Sequence, residues 1–175
     1  MIWGNPEKLA IEAQLEPNAL MPVVGANIAG RIRCYVGGEP FGNWDEPLCV
    51  LGAASDHLLN LAASPSGQWH PLLETLTPRQ RFSALDDLIY ESSISAHPGV
   101  MSVLFNTRFL TNISEAFDYT KSFILSDPDE QVQVLVDSPR GFFHAELSRS
   151  EFVSLAEGFS NWVKLQEHRL IGGGA

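Results

Sequence analysis

The sequence predicts an α+β protein, a mainly antiparallel sheet with helices packed on one face. Three observations carry this. The first forty residues hold two period-two segments and a two-residue Gly-Gly turn, Gly37-Gly38. The middle of the chain switches to helical spacing. Strand patterns then return before a last amphipathic segment, so strands and helices are grouped rather than alternating as a doubly wound sheet requires.

Lys8 to Glu16 reads as the first strand, with Leu9, Ile11, Ala13 and Leu15 on one face and Glu12, Gln14 and Glu16 on the other. Pro17-Asn18 ends it, and 17–27 is expected as a loop. A second strand runs from Ile28 to Val36, setting Ile32, Cys34 and Val36 against Arg31, Arg33 and Tyr35. Arg31 and Arg33 are expected to pair with Glu12, Gln14 or Glu16 across the ladder. Glu39 to Gly42 forms the return strand, with Pro40 marking an edge.

From Leu48 the spacing of Leu51, Ser55, Leu58, Leu59 and Ala62 predicts a helix, broken by Ser64-Pro65-Ser66-Gly67. Thr77 is placed to cap a second helix that starts at Pro78 and ends near Ser92, with Phe82, Leu85, Leu88 and Ile89 on its apolar side. His97-Pro98-Gly99 predicts a turn, and Val100 to Phe105 a strand. Phe109 to Tyr119 fits neither period. Ser122–Leu125 and Gln131–Val136 form a hairpin around Asp127-Pro128-Asp129, and Phe142 to Leu147 adds a strand. Ser148 and Glu151 have capping-box spacing ahead of a helix whose face is Phe152, Leu155, Phe159, Trp162 and Leu165, ending near His168.

With 175 residues, 45% of them hydrophobic, the chain has the size of a single compact domain, expected over residues 1–171 with a tail at 172–175. No apolar run approaches the ~20 residues of a membrane-crossing helix. The acidic first twenty residues are unlike a secretory or mitochondrial leader, so a cytoplasmic protein with reduced Cys34 and Cys49 is expected. The formal charge of −10 argues against nucleic-acid binding, which needs Lys and Arg at phosphates. It suits either plain solubility or the steering of a basic protein partner.

Chemistry is poorly supported. The five histidines and two cysteines show no metal spacing, and the glycines form neither a Walker loop nor a dinucleotide fingerprint, so no metal or cofactor is expected. Cys49 lacks an evident base and orienting group, and no GxSxG elbow is present. Asp86, Asp87 and Glu91 read as a wet helical face before they read as an acid pair. Catalytic residues are therefore expected to be absent.

Recognition is better supported. Trp44, beside Phe41 and ahead of Asp45-Glu46, suits core packing or an interface anchor with acidic neighbours. Glu39, Trp44, Asp45 and Glu46 form a first candidate protein-binding patch. Asp127, Asp129 and Glu130, on the hairpin turn, form a second.

The opening segments Ile2-Trp3-Gly4-Asn5, LAIEAQLEPN and GRIRCYVGGEPFGNWDE resemble the immunity protein 42 family of bacterial polymorphic toxin systems. The resemblance is clearest over Met1 to about Leu51, with support from the terminal helix carrying Trp162. It implies a small cytoplasmic antitoxin that binds a cognate toxin and occludes its functional surface without performing chemistry. Charge favours a basic toxin such as a nuclease, other toxin classes staying open. A cytosolic adaptor domain and a small hydrolase are the alternatives.

Overall fold

The computed structural model describes residues 1–16, 28–46, 48–63, 69, 71–91, 108–109, 114–127 and 129–172. The loop expected at 17–27, the break at 64–67, the turn at 97–99 and the strand at 100–105 lie outside them.

The first sheet is five-stranded and antiparallel. Strands β1 (Ile2–Asn5), β2 (Leu9–Leu15), β3 (Ala29–Val36) and β4 (Glu39–Phe41) lie in that order, and β5 (Cys49–Val50) pairs with the start of β3. The register sets Glu12 opposite Arg33 and Gln14 opposite Arg31. Gly37 and Gly38, at φ 60° and 87°, make the tight turn into β4 that the sequence predicts. Leu9, Ile11, Ala13, Ile32, Cys34 and Val36 face the core, as their alternation requires.

The second sheet orders β6 (Lys121–Ser126), β7 (Gln131–Ser138) and β8 (Gly141–Ser148), again antiparallel. Its two faces are both covered. Ile124, Val132, Val134 and Val136 join the main core, while Phe123, Leu125 and Leu135 join a second cluster with Phe82 and Leu85. The α+β class is thus as expected, but the strands divide into two sheets, and one helix lies on the far face of the second. That helix is α2 (Pro78–Asp86), continued by a π turn to Glu91. Arg81 ties it down, donating to the Leu73 carbonyl at 2.9 Å and to buried Gln133 at 3.1 Å.

Helices α1 (Leu51–Ala63) and α3 (Arg149–Gly172) pack against each other over the main core. Helix α1 starts at Leu51, later than the expected Leu48, because Cys49 and Val50 pair with Gly30 and Ala29 on the sheet. Helix α3 begins with the expected capping box. Glu151 N–H donates to Ser148 Oγ at 3.2 Å, and Ser148 N–H donates to Glu151 Oε2 at 2.7 Å. At the other end of α1, Arg149 donates to the Ala62 carbonyl at 3.0 Å, satisfying one orphan acceptor of its last turn. Phe109, Phe123, Phe152 and Phe159 are each under 2% exposed, and each such ring stabilises the fold by roughly 1.5–3 kcal/mol.

Candidate functional site

The open face of the first sheet carries the strand-pair charges. Arg33 Nε donates to Glu12 Oε2 at 2.6 Å, and the Tyr35 hydroxyl donates to the same oxygen at 2.7 Å. Arg31 Nε donates to Glu16 at 3.2 Å. The pairing expected from the ladder is therefore present. Burial alone would raise the Glu12 carboxyl, but the hydrogen bonds from Tyr35 and Arg33 and the Arg33 charge outweigh it and hold the group below the usual carboxylate range.

This network reaches directly into the loop after β4. The Arg33 guanidinium lies 4.7 Å from the centroid of the Trp44 ring, and Arg31 Nη1 donates to the Trp44 carbonyl at 3.1 Å. Trp44 is half-buried, with one ring stacked by a cation rather than packed into the core. Asn43 Oδ1 accepts from Asp45 N–H at 3.1 Å, turning the chain so that the Asp45 side chain is 96% exposed. Glu46 is half-buried and accepts from Leu48 N–H at 3.2 Å.

A groove of about 600 Å³ opens beside this loop. Its base includes Phe41 and Ala116, and its walls are the 42–46 loop, the 116–120 turn and the turn between β7 and β8. Asn43 N–H donates to the Ala116 carbonyl at 2.6 Å, fixing two of these walls together. Trp44, Asp45 and Glu46 all line the groove, whereas Glu39 stands exposed on β4 outside it.

The second candidate patch is a different kind of feature. Asp127 Oδ1 accepts backbone N–H groups from Asp129 at 3.0 Å and Gln131 at 2.8 Å, so one carboxylate oxygen builds the turn. Asp129 and Glu130 are exposed, and Glu130 holds φ 61° while its carbonyl accepts from Arg149 N–H at the start of α3. The two patches share no hydrogen bond, ion pair or groove among the described residues.

Sequence reading missed Asp118, Tyr119 and Arg140, which also line the groove. They fall in the stretch without periodicity and in a turn, so pattern gave no reason to select them. An aromatic side chain in so polar a context was the one available signal.

Elsewhere the chemistry is quiet. The buried Cys34 thiol is pushed well up by burial. Cys49 touches the Ser114 hydroxyl, and burial raises its thiol too, the opposite of what an activated nucleophile needs. Asp86 is engaged by Lys121 at 2.6 Å. Among the described residues no group of three or more His, Cys, Asp or Glu is placed to hold a metal ion, and no helix is long and apolar enough to cross a membrane.

Two antiparallel sheets on a shared core, flanked by helices and with a groove of mixed aromatic and charged lining, define the class: a two-sheet α+β protein. The chain belongs to the immunity protein 42 family, whose model matches residues 1–162. Its fold is similar to a crystal structure of CdiI from Burkholderia dolosa AUO158, with a TM-score of 0.63 and 18% identity over 90% of this chain and 97% of that one. No curated protein matches the chain.

Proposed function

We propose that this chain is a non-enzymatic immunity protein, a single compact domain acting in the cytoplasm of its producer, that binds a cognate toxin and neutralises it by covering the toxin's functional surface. The observation that carries the reading is the family match across residues 1–162. The likeness in fold to CdiI agrees with it.

Exposed acids at Glu39 and Asp45, with Glu46 beside them, would steer a basic toxin toward Trp44. Asp129 and Glu130 would add a second, separate source of attraction. The excess of acidic over basic residues favours a toxin that itself handles a polyanion, a nuclease foremost.

The test is coexpression with the variable toxin domain encoded by the neighbouring reading frame, followed by purification of both proteins. Restored growth and a stable complex are expected. Continued killing, with no complex detectable between purified proteins, overturns the assignment. Reversing Glu39, Asp45 and Glu46 to Lys should slow association and flatten its salt dependence. An unchanged association rate removes that patch from the mechanism.

A further inference from the structure

Tyr119 is 90% exposed and sits at φ 66°, a backbone region that bulky residues rarely adopt. The turn that holds it, closed by Thr120 N–H on the Phe117 carbonyl at 3.1 Å, stands on the groove wall facing the loop of Trp44. The fold gains no packing from that ring. An exposed aromatic side chain beside a groove is what a protein interface uses as an anchor.

The charges around it are unequal. Asp45 and Asp118 are exposed at the groove, with Glu46 alongside. Of the two guanidinium groups that line it, Arg33 is neutralised by Glu12 and occupied by the Trp44 ring. Arg140 donates to the Pro40 carbonyl at 3.3 Å. Arg140 therefore keeps its charge, and Asp45 lies 4.0 Å from Arg31 Nη1. Asp45, Glu46 and Asp118 still leave the groove an excess of carboxylates next to two aromatic rings, a combination that attracts a cation.

We propose that this groove is where the toxin docks, with Tyr119 and Trp44 as anchors, and that its occupant is a basic toxin segment placing an arginine side chain between the rings and within reach of Asp45 and Asp118. The proposal rests on the immunity reading above and goes beyond it in naming the surface, the anchor and the chemistry of the partner.

The test measures binding of the same neighbouring toxin domain to the full-length chain and to single variants, Tyr119→Ala, Asp118→Lys and, as a control outside the groove and both acidic patches, Glu157→Lys on the exposed side of α3. Tyr119→Ala should keep the native circular-dichroism spectrum and weaken binding ten-fold or more, through faster dissociation. Asp118→Lys should slow association several-fold and reduce its salt dependence. Glu157→Lys should change affinity less than three-fold. If the unaltered protein binds but Tyr119→Ala and Asp118→Lys bind equally well, the groove is wrong while the immunity reading stands. Association of the unaltered pair that ignores salt overturns the basic occupant. No complex with the unaltered protein overturns the immunity reading and this proposal with it.

Discussion

The Arg33 guanidinium serves Trp44 and Glu12 together, lying 4.7 Å from the indole centroid while its Nε donates to the carboxylate at 2.6 Å. A planar guanidinium can lay its flat face on a ring while its edge donates, and a lysine ammonium has no such face. Arg33→Lys should therefore loosen the Trp44 loop even though charge is kept. A double-mutant cycle of Arg33→Lys with Trp44→Ala, followed by urea unfolding, should give a coupling of about 0.5–1 kcal/mol. Additive effects would mean that the stacking contributes nothing to the loop.

The same pair shows how far sequence reaches. Alternation placed Arg33 opposite the Glu12 face, because side-chain period and register are rigidly linked in a ladder. Trp44 lies beyond that ladder, in a loop whose course is set by Asn43 and by the Ala116 carbonyl more than seventy positions away. No local pattern encodes such a contact. Tyr119 and Asp118 were illegible for the same reason, lying in a one-turn segment with no period. Strand β1 escaped because four residues are too few to show alternation, although Trp3 packs 5.2 Å from Phe159 and 5.0 Å from Trp162. The cap at Thr77 and the capping box at Ser148 were legible because their chemistry is confined to a few consecutive residues, although sequence reading missed the reciprocal hydrogen bond to the Gln80 side chain that makes Thr77 a box too.

The cap at Ser148 gives a pH prediction. Hydrogen bonding to Lys8, with further hydrogen bonds from the Ser148 backbone and hydroxyl, holds the Glu151 carboxyl at about 2. A carboxyl lowered on folding stabilises the native state above its ordinary value of 4.5, and that stabilisation is lost as pH falls toward 2. Glu151→Gln should flatten the acid limb of the stability curve across this window. Ser148→Ala should cost about 1 kcal/mol at neutral pH, measured by urea unfolding.

His57 works on a higher window. Burial pushes its imidazole below the ordinary 6.5, against an opposing hydrogen bond to the Arg108 backbone, and its Nε2 is buried without a hydrogen-bond partner among the described residues. The unfolded chain then takes up a proton that the folded chain resists, so stability falls as pH drops below about 6.5. His57→Gln should remove that slope. The check is melting temperature against pH from 8 to 5, where parallel curves for the two proteins would defeat the assignment.

Gly42 joins fold stability to the groove. It holds φ 102°, and a Cβ there would lie 2.9 Å from the Phe117 ring and 3.3 Å from the Arg33 Cα. Strain and crowding both act at the hinge between β4 and the Trp44 loop, so Gly42→Ala should destabilise by about 1–3 kcal/mol. It should also weaken toxin binding, because the loop must shift to admit the methyl group. Equal thermal stability and equal affinity in the variant would show that the loop absorbs the change freely.

The two-sided burial of the second sheet allows the clusters to be separated. Leu135 faces Phe82 and Leu85 of α2, whereas its neighbours Val134 and Val136 face the main core. Leu135→Ala should cost about 2–5 kcal/mol through lost burial and the cavity left behind. The loss should fall first on α2, because Leu135 is one of the apolar contacts seating that helix, while β2 and β3 face the main core on the other side of the second sheet. Hydrogen exchange in the variant should therefore speed up in residues 78–86 more than in β2 and β3. Uniform acceleration across both sheets would instead show that the two clusters unfold as one cooperative unit.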